Sequence, residues 1–133
     1  MSASSVLSVV DWDRTSPVID EDHLGRMTLG DRGLEREILE IFLRQIDLIV
    51  ARIAGARPPM VAAAAHTLLG SARGIGTGRV AWAAERLEYA AAAGRSQADI
   101  DEAVEELKAA AGEASAAIGA RLAAASLDVS RDD

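Results

Sequence analysis

Apolar residues recur every three or four positions along most of the chain, which is the spacing of one face of an α-helix. The clearest run predicts a long helix, and its apolar positions are Leu34, Ile38, Ile41, Phe42, Leu48, Ile49 and Ile53. No segment alternates apolar and polar residues with period two, so β-strands are not expected. The pattern therefore predicts an all-α protein.

Capping residues and prolines set the limits of the first three helices. Asp20 begins a short helix and Asp31 begins the long helix over 32–54, because aspartate accepts hydrogen bonds from the free amides of a first turn. The proline pair at 58–59 begins a third helix that ends near Arg73, since proline fits the first turn of a helix and not its interior.

Two further helices complete the pattern. Thr77 precedes a fourth helix over 78–93. Ser96 and Asp99 resemble a capping box that opens a fifth helix, which ends near Ala125. One short and four longer helices joined by tight turns predict an antiparallel four-helix bundle with a short additional N-terminal helix.

The length of 133 residues fits one domain. We predict a flexible leader over 1–17, a helical bundle over 18–125 and a polar tail over 126–133. Trp12 is the residue of the leader that we expect to dock on the bundle.

Charge and composition narrow the function. The formal net charge is −7 and the pI is near 4.8, which argues against general nucleic-acid binding because that needs a basic surface. The absence of cysteine excludes thiolate catalysis, disulfides and Cys-based zinc sites. No membrane span and no signal peptide are recognised in the sequence. We therefore expect a cytoplasmic protein that binds other proteins and neither nucleic acid nor membrane.

His66 is the residue that carries candidate chemistry. It lies opposite the apolar arc of the third helix, so we expect it to face solvent. Gly70 costs a helix interior about 1 kcal/mol relative to alanine, which indicates that something large approaches the imidazole closely. The residues expected to share this face are Ala62, Ala63, Leu69, Gly70 and Arg73.

The residues around His66 resemble a known family. The stretch is Ala65-His66-Thr67-Leu68-Leu69-Gly70-Ser71-Ala72, followed by Ile75-Gly76, Val80 and Leu87-Glu88. It resembles the signature of the histidine-containing phosphotransfer (HPt) domain family of two-component phosphorelays. The resemblance covers about residues 18–124.

The resemblance implies that His66 is phosphorylated at Nε2 and shuttles a phosphoryl group between receiver-domain aspartates. It implies two kinds of partner, response-regulator receiver domains and a hybrid sensor histidine kinase. It also implies a monomer with no cofactor of its own, because the Mg²⁺ would lie on the receiver. Gly70 would give the receiver room to dock.

Leu69 departs from the family pattern, which usually has lysine three residues after the histidine. Arg73 is expected to supply that positive charge, or else to be an ordinary cation favoured at a helix C-terminus. Leu69, Arg73 and Arg79 are expected to add apolar and basic contacts to the docking surface. Glu88 is expected either to orient His66 through its other ring nitrogen or to be merely solvated.

Two other functions stay open at this point. The chain can be an HPt-like adaptor that binds receiver or kinase domains without carrying phosphate, or a dimeric region like that of histidine kinases. The glycine-rich segment 70–78 lacks the Lys-Ser/Thr ending of a phosphate-binding loop. Autokinase activity is therefore not expected.

Overall fold

Five helices and no strand are present between Trp12 and Asp132, the residues that this computed structural model describes, with side chains described as far as Ala125. The helices are α1 (Glu21–Met27), α2 (Arg32–Ile53), α3 (Pro58–Ile75), α4 (Gly78–Ala92) and α5 (Gln97–Asp132). The predicted all-α class is confirmed. None of the helices in this range is long and apolar enough to cross a membrane.

Most of the predicted caps are made. The Asp20 carboxylate accepts from the His23 amide at 3.0 Å, and the Asp31 carboxylate accepts from the Leu34 amide at 3.0 Å. The Ser96 hydroxyl likewise accepts from the amide of Asp99 at 3.1 Å. These bonds satisfy amides that have no partner within their own helix.

One predicted cap bond and one helix limit differ from the sequence prediction. The Thr77 side chain does not cap α4; its hydroxyl instead donates to the Ala72 carbonyl at 3.4 Å. The last helix continues to Asp132 rather than ending near Ala125, so the backbone of the predicted polar tail is helical as far as that residue. Residues without strong breakers extend a helix that has already formed, because propagation costs little once the helix is nucleated.

The four long helices form a closed bundle. Helix α2 packs against α3 and α5, while α4 packs against the same two helices from the other side. Short turns join consecutive helices, so neighbours run antiparallel. The short helix α1 packs against α3, which confirms the predicted bundle with an additional N-terminal helix. The largest fully buried apolar side chains are Phe42, Leu24, Leu39, Leu68, Leu87, Leu107, Ile118 and Val80.

Alanine allows α3 and α4 to approach closely. Ala65 on α3 and Ala83 and Ala84 on α4 are completely buried, and these two helices make the most extensive helix pairing in the bundle. Small side chains at a helix interface bring the two backbones together. The close pairing places the polar side chains at the outer edge of α4 within reach of those on α3.

The segment before α1 is attached to the bundle. Trp12 is half-buried and lies on Gly78, where a Cβ atom would come within 2.6 Å of the indole ring. The same indole meets His23 edge-to-face at 5.8 Å between ring centroids. Arg79 donates to the Ser16 carbonyl at 2.6 Å. The predicted flexible leader is therefore packed on the bundle over 12–17, while its remainder lies outside the described residues.

Candidate functional site

His66 projects from the middle of α3 into solvent. Its side chain is 73% exposed, whereas Ala65 and Leu68 on the core-facing side of the same helix are fully buried. The solvent-facing position predicted from the helical pattern is confirmed. The imidazole can therefore be reached by a macromolecular partner without any movement of the bundle.

Glu88 on α4 holds the imidazole from one side. Its Oε2 lies 2.8 Å from Nδ1 of His66. A carboxylate can only accept a hydrogen bond, so Nδ1 carries a hydrogen, and in the neutral form of the ring the lone pair is then on Nε2. No described residue bonds to Nε2. The bond to Glu88 thus orients the ring so that Nε2 faces outward.

The residues around the imidazole have small side chains, so they leave open space beside it. Ala63 is exposed, Ala62 is half-buried and Gly70 is exposed. A Cβ atom added at Gly70 would meet nothing within 4 Å. Packing inside the chain therefore gives no reason for glycine at this helix interior position, and the open space above it is available to another molecule.

Leu69 does not belong to this surface. It is only 6% exposed and packs in the core, so the expected apolar docking contact at this residue is wrong. Helix α3 packs against α1, α2 and α4, and a helix with three neighbours buries a wider arc than one face of the sequence pattern indicates. A side chain 60° from His66 around the helix is therefore already buried.

The burial of Leu69 leads to a prediction about stability. Leu69→Ala is expected to lower the free energy of unfolding by about 2–4 kcal/mol, because it removes buried methyl groups and leaves a cavity. Leu48→Ala is the matched control, since Leu48 on α2 is 67% exposed and its truncation should change stability by less than about 0.5 kcal/mol. Urea denaturation measures both. Equal stability of the two variants would contradict the burial of Leu69.

Arg73 lies near the His66 face but is bonded to α4. Its Nη2 donates to Oε2 of Glu85 at 2.6 Å. The sequence predicts that Arg73 supplies a positive charge beside His66, and in the structure its guanidinium bonds a carboxylate on the neighbouring helix. Sequence reasoning did not include Glu85. Its spacing of three residues before Glu88, which puts both on one face of α4, is the signal that could have found it.

Arg79 is not part of the site. It lies nine residues before Glu88, which places the two on opposite faces of α4. Besides the Ser16 carbonyl, its guanidinium bonds Oε2 of Glu113 on α5 at 2.6 Å. This arginine joins the N-terminal segment to α4 and α5. The expected role of Arg79 in the docking surface is therefore wrong.

No group of three His, Asp or Glu side chains within the described residues is arranged to hold a metal ion. The polar groups at the site are one imidazole, one guanidinium and the two carboxylates of Glu85 and Glu88. This set can perform nucleophilic attack by a nitrogen and can neutralise charge beside it. It defines a class of protein: a helical bundle that presents a solvent-exposed histidine on an open helix face.

Comparison with known families agrees with that class. The family model of the Hpt domain matches residues 37–117, a range that contains His66, Arg73, Glu85 and Glu88. The chain belongs to the Hpt domain family. No curated protein and no solved structure matches it. Membership gives the chain a phosphotransfer-type role in two-component signalling, in which Hpt domains interact with receiver domains and kinases.

The contact between Glu88 and His66 predicts a kinetic effect. Glu88→Ala is expected to slow phosphoryl uptake from a receiver about 10- to 150-fold, because a hydrogen bond to a charged group contributes about 1.5–3 kcal/mol. Glu88→Gln keeps an acceptor for Nδ1 without the charge, so its rate should lie between those of the wild type and Glu88→Ala. Stopped-flow or quenched transfer assays measure the rates. Wild-type uptake by Glu88→Ala would show that this glutamate is merely solvated.

Proposed function

We propose that this chain is a phosphocarrier that shuttles a phosphoryl group between receiver-domain aspartates through Nε2 of His66. The observation that supports this most strongly is the bond from His66 Nδ1 to Glu88, combined with an Nε2 that faces solvent. A nucleophile for another protein's phosphoryl group must be exposed and correctly oriented, and the exposure of His66 together with its bond to Glu88 supports both requirements.

The first transfer begins with a receiver aspartyl phosphate. The Nε2 lone pair attacks phosphorus in line, the Nε2–P bond forms, and the P–O bond to the aspartyl carboxylate breaks with its electron pair leaving on that carboxylate. The ring keeps its Nδ1 hydrogen and gains a positive charge, which the Glu88 carboxylate offsets. The second transfer is the reverse reaction with the aspartate of another receiver.

The partner supplies the rest of the machinery. We assign to the receiver the Mg²⁺ that neutralises the phosphoryl oxygens, and the chain needs no cofactor of its own. The donor in this scheme is the receiver of a hybrid sensor histidine kinase, and the acceptor is a response regulator. The chain contributes the nucleophile and the open surface formed by Ala62, Ala63 and Gly70.

Helix α2 adds an apolar contact to the proposed docking surface. Ile41 and Leu48 lie two turns apart on α2 and are 57% and 67% exposed. Helix α2 packs beside α3, and apolar side chains exposed on α2 can add buried apolar area to an interface centred on α3. We assign to these two residues the contact with the receiver that Leu69, buried in the core, does not make.

Label transfer distinguishes the carrier from a non-catalytic adaptor. Receiver domains charged with labelled acetyl phosphate are mixed with the chain, and a second, uncharged receiver is added afterwards. We expect acid-labile, base-stable label on the chain within the first step and its passage to the second receiver. Stable binding of the receivers with no label on the chain would instead establish an adaptor.

A further inference from the structure

Two polar cross-links join α3 to α4 beside the reactive imidazole. His66 bonds Glu88 at 2.8 Å, and Arg73 bonds Glu85 at 2.6 Å. Arg73 follows His66 by seven residues, which places both within about 20° of one line along α3. The two glutamates are three residues apart and share the face of α4 that looks toward this line.

Arg73 is the cation that α3 itself can offer to a phosphoryl group. It is the one Lys or Arg between Pro58 and Ile75. The position three residues after His66, where a lysine would stand beside the imidazole, holds the buried Leu69. Arg73 lies about 10 Å along the helix axis from His66, and helical side chains lean toward the N-terminus, which is the direction of the imidazole.

The bond between Arg73 and Glu85 is weak enough to be exchanged. The two side chains are 43% and 61% exposed, and an ion pair in solvent contributes little because water screens it. A phosphoryl group on Nε2 carries about two negative charges and three acceptor oxygens. Such a group competes effectively with one solvated carboxylate for the same guanidinium.

We propose that Glu85 is a positioning residue that controls Arg73: it holds the guanidinium while His66 is unphosphorylated and releases it to the phosphoryl oxygens once the phosphoryl group arrives. The inference rests on the proposed carrier function and deepens it. Glu85 competes with phosphohistidine for Arg73, so its carboxylate shortens the lifetime of the phosphorylated state and favours onward transfer to a receiver.

Removal of the competitor should therefore stabilise phosphohistidine. Glu85→Gln is expected to raise the equilibrium constant for phosphoryl uptake from a given receiver about two- to fivefold, the range that corresponds to a solvated ion pair. Arg73→Gln should lower the same constant, and Arg73→Lys should restore part of it. The equilibrium is measured as the labelled fraction of chain and receiver after mixing.

The loss of direct charge repulsion would also raise the equilibrium constant for phosphoryl uptake in Glu85→Gln. The Glu85 carboxylate can repel the phosphoryl group directly, without any involvement of Arg73. The double variant Glu85→Gln/Arg73→Gln separates the two causes, because Glu85→Gln should have no effect once Arg73 is absent if it acts by releasing the guanidinium. An equal effect of Glu85→Gln with and without Arg73 would overturn the proposal.

Glu105→Gln is the matched control for the change in charge. Glu105 is exposed and bonds Lys108 within α5, a helix that packs against α2 and α4. This control should leave the equilibrium constant at its wild-type value. A phosphorus NMR spectrum adds a spectroscopic readout, because the phosphohistidine resonance should shift in Arg73→Gln and stay in place in Glu105→Gln.

The outcomes separate this inference from the carrier function. If the wild-type chain takes no label from any receiver, the carrier function fails and the role of Glu85 fails with it. If the wild type is labelled and Glu85→Gln matches it in both equilibrium and resonance position, only the role of Glu85 is overturned.

Discussion

Replacement of His66 with glutamine is expected to abolish phosphoryl uptake while the fold and receiver binding remain. The side chain is 73% exposed, and its one described bond is to Glu88, so its loss should change the free energy of unfolding by less than about 0.5 kcal/mol. Glutamine has no nucleophilic nitrogen. Labelled-receiver assays together with circular dichroism measure the two properties.

His23 provides the matched control. It is the other histidine of the chain, and it is half-buried, with Nε2 donating to the Gly74 carbonyl at 3.0 Å. His23→Gln should keep phosphoryl uptake, although it disturbs the edge-to-face contact with Trp12. Persistent label on His66→Gln, or its loss in folded His23→Gln, would contradict the assignment of the nucleophile.

A large side chain at Gly70 is expected to reduce transfer about 100-fold or more, because even about 1 Å of misplacement between reacting groups costs that factor. The structure has free space for the new side chain, and the helix gains from the loss of glycine. Gly70→Ala should stabilise the chain by about 0.5–1 kcal/mol, and Gly70→Leu should fold while it blocks the receiver. Denaturation and transfer assays on the same samples test both statements.

Gly119 on α5 separates a docking effect from a helix effect. A Cβ atom there also meets nothing within 4 Å, and the residue lies within a helix as Gly70 does. Gly119→Leu should therefore fold and transfer at the wild-type rate. Wild-type transfer by Gly70→Leu would show that the receiver does not approach over Gly70.

The sequence was sufficient for features that depend on local chemistry. Helix limits at Asp20, Asp31 and Ser96 follow from capping bonds to amides three residues further along. Such local bonds can be predicted from the sequence. The exposure of His66 follows from its place opposite the apolar arc, which needs only the helical period. The bundle followed because short turns force neighbouring helices to pair.

The features that the sequence did not reveal depend on how many helices meet at a point. Leu69 is buried because α3 packs against three other helices. The apolar pattern within α3 does not indicate how many helices pack against it. Arg79 was assigned to the docking surface, yet it pairs with Glu113, which is distant in sequence. The pairing of Arg73 with Glu85 likewise depends on the register between α3 and α4, which the close packing of alanines determines.

Direct location of the phosphoryl group tests the central claim. The chain is incubated with a phosphorylated receiver, and the modified residue is identified by mass spectrometry of its peptide and the modified nitrogen by phosphorus–proton NMR. The account predicts a phosphoryl group on Nε2 of His66 and an unmodified Nδ1 that remains bonded to Glu88. A phosphoryl group on any other residue, on Nδ1, or on no residue of a chain that binds the receiver, would contradict it.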